Sequence, residues 1–392
     1  MDGSQYCESL FGKPWREPGN RWAFTYYLPN AIPREVPLDA TLVNALSDAD
    51  AALGLLGGLA MLITDPSLLI GPCLRREAVA STRIEGTQAS LSDLFQSEVE
   101  SIENDDIEEV RRYVEATELA YNLAQSLPIT QRLVLQVHAV LLKGVRGKER
   151  NPGELRMSPV WVGSANATPD TAAFVPPLPE HLPDLMRDWE FFVNDDGKRL
   201  PALIQAALMH YQFETIHPFL DGNGRLGRLL INLLLIERRR LPVPLLYLSS
   251  YFESYRQTYY DKLQAVRQRG DIDGWLLFFL QAVKSQADDA VVRSRSLIST
   301  RETYLQEAIQ TRSRLPALVD VIVRNPIVTV KSVQEAVGLT NQGARALIKS
   351  AESREWLHSL GARGQGGREF WVAPRILDIM EAPMAYSTGQ SH

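Results

Sequence analysis

Apolar positions along most of the chain recur at helical spacing. From residue 38 to about 127 the pattern is helical, with Leu53, Leu56, Leu59 and Leu62 three apart. Pro66 and Pro72 punctuate this stretch. The run from Leu74 through Glu77, Ser81 and Glu85 predicts a helix that stops at Gly86, since glycine suits the position just past a helix end. Residues 93–109 are acidic and are expected as a solvated surface. Residues 1–37, rich in Pro, Gly and aromatics, read as an extended arm.

Amphipathic helices are predicted over 129–142, 181–194 and 201–216, with Pro201 at a first helical position. Between the first two, Val160-Trp161-Val162-Gly163 and Ala172-Ala173-Phe174-Val175 are strand-like and flank a polar stretch, which predicts a β-hairpin. Residues 225–240 form a further helix with Leu226, Leu229, Leu230 and Leu233 as its buried stripe. Helices follow over 251–269 and 273–307, the second long enough to serve as a connector. The remainder reads as helix 316–323, a short helix at 333–337, a turn at 338–341, helix 342–353, and strands at 356–360 and 368–372 around a Gly-rich loop. That order is the layout of a winged helix-turn-helix.

Composition narrows the class. At 392 residues, two or three domains are expected. Apolar residues at 45% and charged residues at 22% describe an ordinary globular chain. Lys plus Arg number 41 against 47 Asp plus Glu, a net charge of −6, which argues against coating nucleic acid by bulk charge. Residues 312–380 depart from this: ten Lys/Arg face six Asp/Glu, a net +4. The two cysteines, Cys7 and Cys73, cannot build a disulfide framework and suit a reducing compartment. The N-terminus lacks the pattern of a secretory signal, and no apolar run reads as a membrane span. A cytoplasmic protein without membrane association is expected.

The segment richest in chemistry is His217-Pro218-Phe219-Leu220-Asp221-Gly222-Asn223-Gly224-Arg225-Leu226-Gly227-Arg228. It is a polar loop opening onto a helix. Small residues let backbone N–H groups approach an anion, and the helix start favours negative charge. Arg225 and Arg228, three apart, share a face beside that nest, where each charge-assisted hydrogen bond to a phosphate is worth ~1.5–3 kcal/mol. Asp221 is a hard oxygen ligand for Mg²⁺, and His217 can take a proton from an attacking hydroxyl. The stretch also matches Gly-x-Gly-x-x-Gly, but a helix rather than a strand precedes it, which excludes a dinucleotide fold.

This segment resembles the signature of the Fic domain family, His-x-Phe-x-Asp/Glu-Gly-Asn-Gly-Arg-x-x-Arg, with every specified position filled. Ser81 through Glu85 and Gly86 resemble the family's inhibitory motif in its N-terminal placement, and the hairpin and the Tyr259-Tyr260 pair also fit. The resemblance implies a mainly α fold: a helical Fic fold with a β-hairpin flap and a C-terminal winged helix. The expected divisions are an arm and inhibitory helical region (1–128), a catalytic core (129–285), a helical connector (286–311), the winged helix (312–380) and a tail (381–392).

The resemblance further implies transfer of AMP from ATP to Ser, Thr or Tyr hydroxyls of a target protein or of the chain itself, releasing pyrophosphate. His217 would be the general base and Asp221 the Mg²⁺ ligand. Gly222, Asn223 and Gly224 would form the anion nest, Asn223 near the α-phosphate. Arg225 would contact the β-phosphate or ribose region and Arg228 the γ-phosphate, with Leu226 and Gly227 in the same ATP-binding stretch. Val160, Trp161, Val162 and Gly163 would belong to a flap that docks the target segment as an added strand over the nucleotide. Tyr259 and Tyr260 would flank the adenine, a core aromatic being the plain alternative for each. Ser81, Glu85 and Gly86 would be inhibitory, Glu85 pairing with Arg228 where the γ-phosphate belongs. A homodimer, and DNA through Gln342, Arg345 and Lys349 with Arg363 and Arg368 beside the wing, complete the expected partners. The competing functions are a DNA-binding regulator with a nucleotide-sensing Fic-like domain, and an enzyme that removes AMP.

Overall fold

A computed structural model describes the chain except residues 17–18, 20–21, 64, 101–103, 145–149, 165, 312, 363–366 and 384–392. Arg363 and most of the expected tail therefore lie outside the described residues. The chain opens with an antiparallel pair, β1 (Gly12–Trp15) and β2 (Tyr26–Pro29), in register from Gly12 opposite Pro29 to Trp15 opposite Tyr26. Helices follow: α1 (Ala40–Leu62), α2 (Ser67–Ile84), α3 (Leu91–Val99), α4 (Asp105–Ala124), α5 (Gln131–Leu141), α6 (Leu182–Asn194), α7 (Ala202–Ile216), α8 (Asn223–Glu237), α9 (Ser249–Ser254), α10 (Arg256–Arg269) and the 38-residue α11 (Ile272–Ile309). The last part contains α12 (Leu315–Arg324), β3 (Ile327–Val328), α13 (Val330–Val337), α14 (Asn341–Glu352), β4 (His358–Ala362), β5 (Glu369–Val372) and α15 (Pro374–Glu381). Its three strands are antiparallel in the order β3-β5-β4.

Local chemistry sets many boundaries. Asp39 caps α1 by accepting the Leu42 N–H at 2.8 Å, and Ser90 with Asp93 makes a capping box on α3. Gly270 and Gly338 end α10 and α13 in the left-handed conformation. α7 is buried on every side, from Ala202 to Ile216, as its apolar sequence demands. It is the central strut of the core, and its C-terminal end carries the His217 segment.

Several expectations are corrected. The arm is not open: Tyr6, Tyr26 and Tyr27 build a second apolar cluster with Phe174, Val175 and Leu178, because aromatic rings of that size find cover. Pro72 does not punctuate; it lies inside α2, where buried Leu68, Leu69 and Leu74 offset one lost helix hydrogen bond. The acidic stretch is not merely solvated, since α3 and α4 bury Leu94, Phe95 and Ile107. The helix expected over 251–269 breaks at Tyr255, and Pro201 caps α7 from outside. The hairpin shrinks to one antiparallel bridge between Val162 and Phe174. Among the described residues α1 is long and apolar enough to cross a membrane; its Leu42, Leu53 and Leu56 face inward in the core. The winged region also pairs with the chain before it: Arg324 with Asp65 at 3.1 Å, and Arg368, which flanks the wing as expected and stays 41% exposed, with Glu100 at 3.4 Å.

Candidate active site

α7 ends at His217, whose backbone is left-handed at φ 50 and ψ 61 and whose N–H donates to the Phe213 carbonyl at 2.9 Å. A sharp turn follows. Gly222, at φ 77, supplies the conformation a side chain resists and leads into α8. Asn223 closes the turn on itself: its Oδ1 accepts the Phe219 N–H at 2.9 Å and its Nδ2 donates to the Phe219 carbonyl at 2.9 Å. Its side chain is thus committed to the turn. The first-turn N–H groups of α8 have no acceptor within the helix. Phe219 is buried and stacks on His138 at 3.7 Å.

His138, on α5, fixes the other side of the turn. Its Nδ1 accepts the Gly153 N–H at 2.9 Å, so Nε2 carries the proton and donates to the Asp221 carbonyl at 3.0 Å. Burial holds its pKa down to about 4, which keeps the ring neutral, and the Gly153 N–H sets its tautomer. The His217 imidazole is likewise pushed down to about 3, first by burial and then by the cations Arg156 and Arg267. It is neutral at neutral pH. That is the state a proton acceptor needs.

Arg228 projects from the first turns of α8 into a socket made by α2. Its Nε donates to Ser81 Oγ at 3.0 Å, and its Nη2 donates to the Ser81 carbonyl and to Glu85 Oε1, each at 2.8 Å. The Arg228 side chain is 1% exposed and that of Glu85 35%. Burial disfavours the guanidinium charge, and the Glu85 carboxylate more than offsets it, holding the group above its usual range. Glu85 and Arg228, 143 residues apart, therefore meet as expected. A Cβ on Gly224 would stand 2.4 Å from Glu85 Oε1, so the glycine is what admits the carboxylate. Gly86, at φ 109, ends the motif.

Other predicted residues are placed differently. Arg225 is buried between Glu109 at 3.4 Å and Asp221 at 3.3 Å, so it is already neutralised. Leu226 is wholly buried and belongs to the core, not to a ligand surface. Gly227 faces inward: a Cβ there would stand 2.7 Å from Glu214 Oε1. Tyr259 is also wholly buried, with its hydroxyl 2.9 Å from His210 Nε2, while Tyr260 remains 37% exposed. Only Tyr260 of the pair presents surface. Val160 is partly buried and Trp161, Val162 and Gly163 are exposed, with the Trp161 Nε1 donating to the Ala167 carbonyl at 2.7 Å.

Asp221 is the one predicted metal ligand. Its side chain is 43% exposed, and its Oδ1 accepts from the Gly222 N–H at 2.6 Å. No group of three His, Cys, Asp or Glu among the described residues could hold a metal ion. A single accessible carboxylate fits Mg²⁺ that arrives already bound to phosphates, not a resident ion.

Residue patterns alone missed His138, Arg156, Glu109 and Glu214. Each lies on an element that reads as amphipathic or loop, and only the fold brings it to the turn. Glu214 precedes His217 by one helical turn; burial pushes its carboxyl up to about 7.

Comparison with known families places three matches along the chain: Fic/DOC family N-terminal over 43–122, Fic/DOC family over 128–235, and an HTH DNA binding domain over 315–369. The chain is 34% identical over 168 residues to protein adenylyltransferase Fic of Drosophila grimshawi, and 35% over 161 residues to the protein of that name in Aedes aegypti. The first match covers 43% of this chain and 31% of the relative, the second 41% and 29%. The match thus spans about a third of these relatives' length. A Fic family protein from Desulfovibrio desulfuricans G20 shares the fold, with a TM-score of 0.57 at 21% identity over 86% of this chain and 97% of that one. With the signature turn, the α2 socket and both Fic matches in place, the chain belongs to the Fic/DOC family.

Proposed function

We propose that the chain is a protein adenylyltransferase that moves AMP from ATP to a Ser, Thr or Tyr hydroxyl of a target protein or of itself. The observation that carries this reading is a neutral His217 at the end of α7, on the signature turn that opens α8 beside the Arg228 socket. The N–H groups at the start of α8 hold the phosphates, and Arg228 holds the terminal one. His217 accepts the proton of the incoming hydroxyl. The hydroxyl oxygen then bonds to the α-phosphorus while the bond to the pyrophosphate oxygen breaks. Positioning and charge neutralisation supply most of such a transfer. Mg²⁺ bound with the nucleotide, touching Asp221, would offset phosphate charge. The exposed edge at Val162 receives the target segment as an added strand.

The resting state is inhibited. Glu85 occupies the cation that the γ-phosphate needs, so ATP enters in a pose unfit for transfer. The test uses ATP labelled separately at the α- and γ-positions. Protein-bound α-label, absent in His217→Ala, is expected; γ-label alone would mean phosphorylation and overturn the reading.

A second activity is favoured by the HTH match and by the exposed Gln342, Arg345 and Lys349 on α14. We infer that this face touches DNA, although Arg345 also pairs with Glu369 at 3.2 Å. A gel shift that weakens steeply with salt would bear this out, and its absence at low salt would refute it.

A further inference from the structure

We propose that Arg156 is the positioning residue that locks the catalytic loop and the flap into one register. The kinetic part rests on the transferase reading; the geometry does not. Arg156 is 1% exposed, deep enough that a guanidinium ordinarily needs a carboxylate. It has none among the described residues. Its donors go to backbone carbonyls instead: Nε to His217 at 2.8 Å, Nη1 to Ser158 at 3.3 Å, and Nη2 to Ile216 at 3.3 Å and Pro177 at 2.5 Å. Its own N–H donates to the Pro218 carbonyl at 3.0 Å.

The acceptors fall in two sets. Ile216, His217 and Pro218 are the end of α7 and the start of the signature turn. Ser158 and Pro177 are the two roots of the flap, each two residues outside the strand-like runs that meet at Val162 and Phe174. One planar fork therefore spans both, and its five donors suit several fixed acceptors in a way an ammonium does not. It also stabilises His217 in a left-handed backbone that a non-glycine residue adopts only under constraint. A target segment added to the flap is thereby held at a fixed distance from the imidazole. The charges that bear on that ring are Arg156, Arg267 and Asp221.

The test compares Arg156→Lys and Arg156→Gln in the full chain, each with and without Glu85→Gly. Three readouts need no activity: amide exchange over 158–163 and 172–177, the NMR titration of His217, and Mg-ATP affinity. Both variants are expected to speed flap exchange at least tenfold and to leave Mg-ATP affinity within about threefold. Arg156→Gln alone should let His217 take up a proton at higher pH than the parent, because only it removes the charge. In the Glu85→Gly background kcat should fall by about 10²-fold, the scale of a 1 Å misplacement. Unchanged exchange and titration would overturn the proposal, as would nucleotide affinity that falls in step with thermal stability. If the Glu85→Gly parent itself transfers nothing, the transferase reading fails, and exchange and titration still decide the role of Arg156.

Discussion

Replacing Glu85 by glycine removes one contact and leaves its socket standing. Arg228 keeps both bonds to Ser81, at 3.0 and 2.8 Å, so the guanidinium stays in place. Glu85 sits at φ −86 and ψ −6, an ordinary helical end, so glycine adds no strain there. A charge-assisted hydrogen bond contributes about 1.5–3 kcal/mol. The 35% exposure of Glu85 screens part of it, which leaves roughly 1.5–2 kcal/mol. At 1.4 kcal/mol per factor of ten, the productive pose of the γ-phosphate should gain about 10–30-fold. Self-labelling from α-labelled ATP, followed over time at subsaturating nucleotide, should rise by that factor in Glu85→Gly. Equal or slower labelling, with ATP binding intact, refutes the inhibitory role.

Other consequences are as direct. His217→Ala should abolish transfer and leave nucleotide affinity within about threefold, because the ring is needed for proton transfer and not for the nest; a loss of binding would contradict this. Arg228→Ala should weaken ATP about tenfold or more and ADP less than threefold, since only ATP has a γ-phosphate; equal losses by calorimetry would show the contact is misassigned. Glu77 is buried on α2, accepts from Ser249 and Tyr113, and is held up to about 7 from 4.5 by burial. The folded state thus keeps a proton the unfolded chain has released, so this group's stabilisation is full below pH 4.5 and is lost as pH rises through about 7. Glu77→Gln should therefore gain thermal midpoint relative to the parent between pH 5 and pH 8; a constant difference would refute it.

The sequence carried the signature turn and most helices because their causes are local. The Leu226–Leu233 stripe, the Gly222 turn and the Gly338 helix stop are written in neighbouring residues. The Glu85–Arg228 meeting was reachable only by resemblance, since 143 residues separate the pair. Burial was the other hidden variable. Tyr259 and Tyr260 are adjacent and alike in sequence, yet one is sealed under His210 and the other faces out. Arg225 and Arg228 share a helix face, but only the fold brings Glu109 against the first. Arg156 carried no signal at all: a buried cation satisfied by carbonyls leaves no partner residue type to look for.

The most direct measurement is a crystal structure of the Glu85→Gly chain with magnesium and a non-hydrolysable ATP analogue. The account predicts the triphosphate against the backbone N–H groups that open α8, its terminal phosphate at Arg228 and its α-phosphorus facing His217. A nucleotide bound elsewhere, with that turn still empty or packed over by side chains, would contradict it.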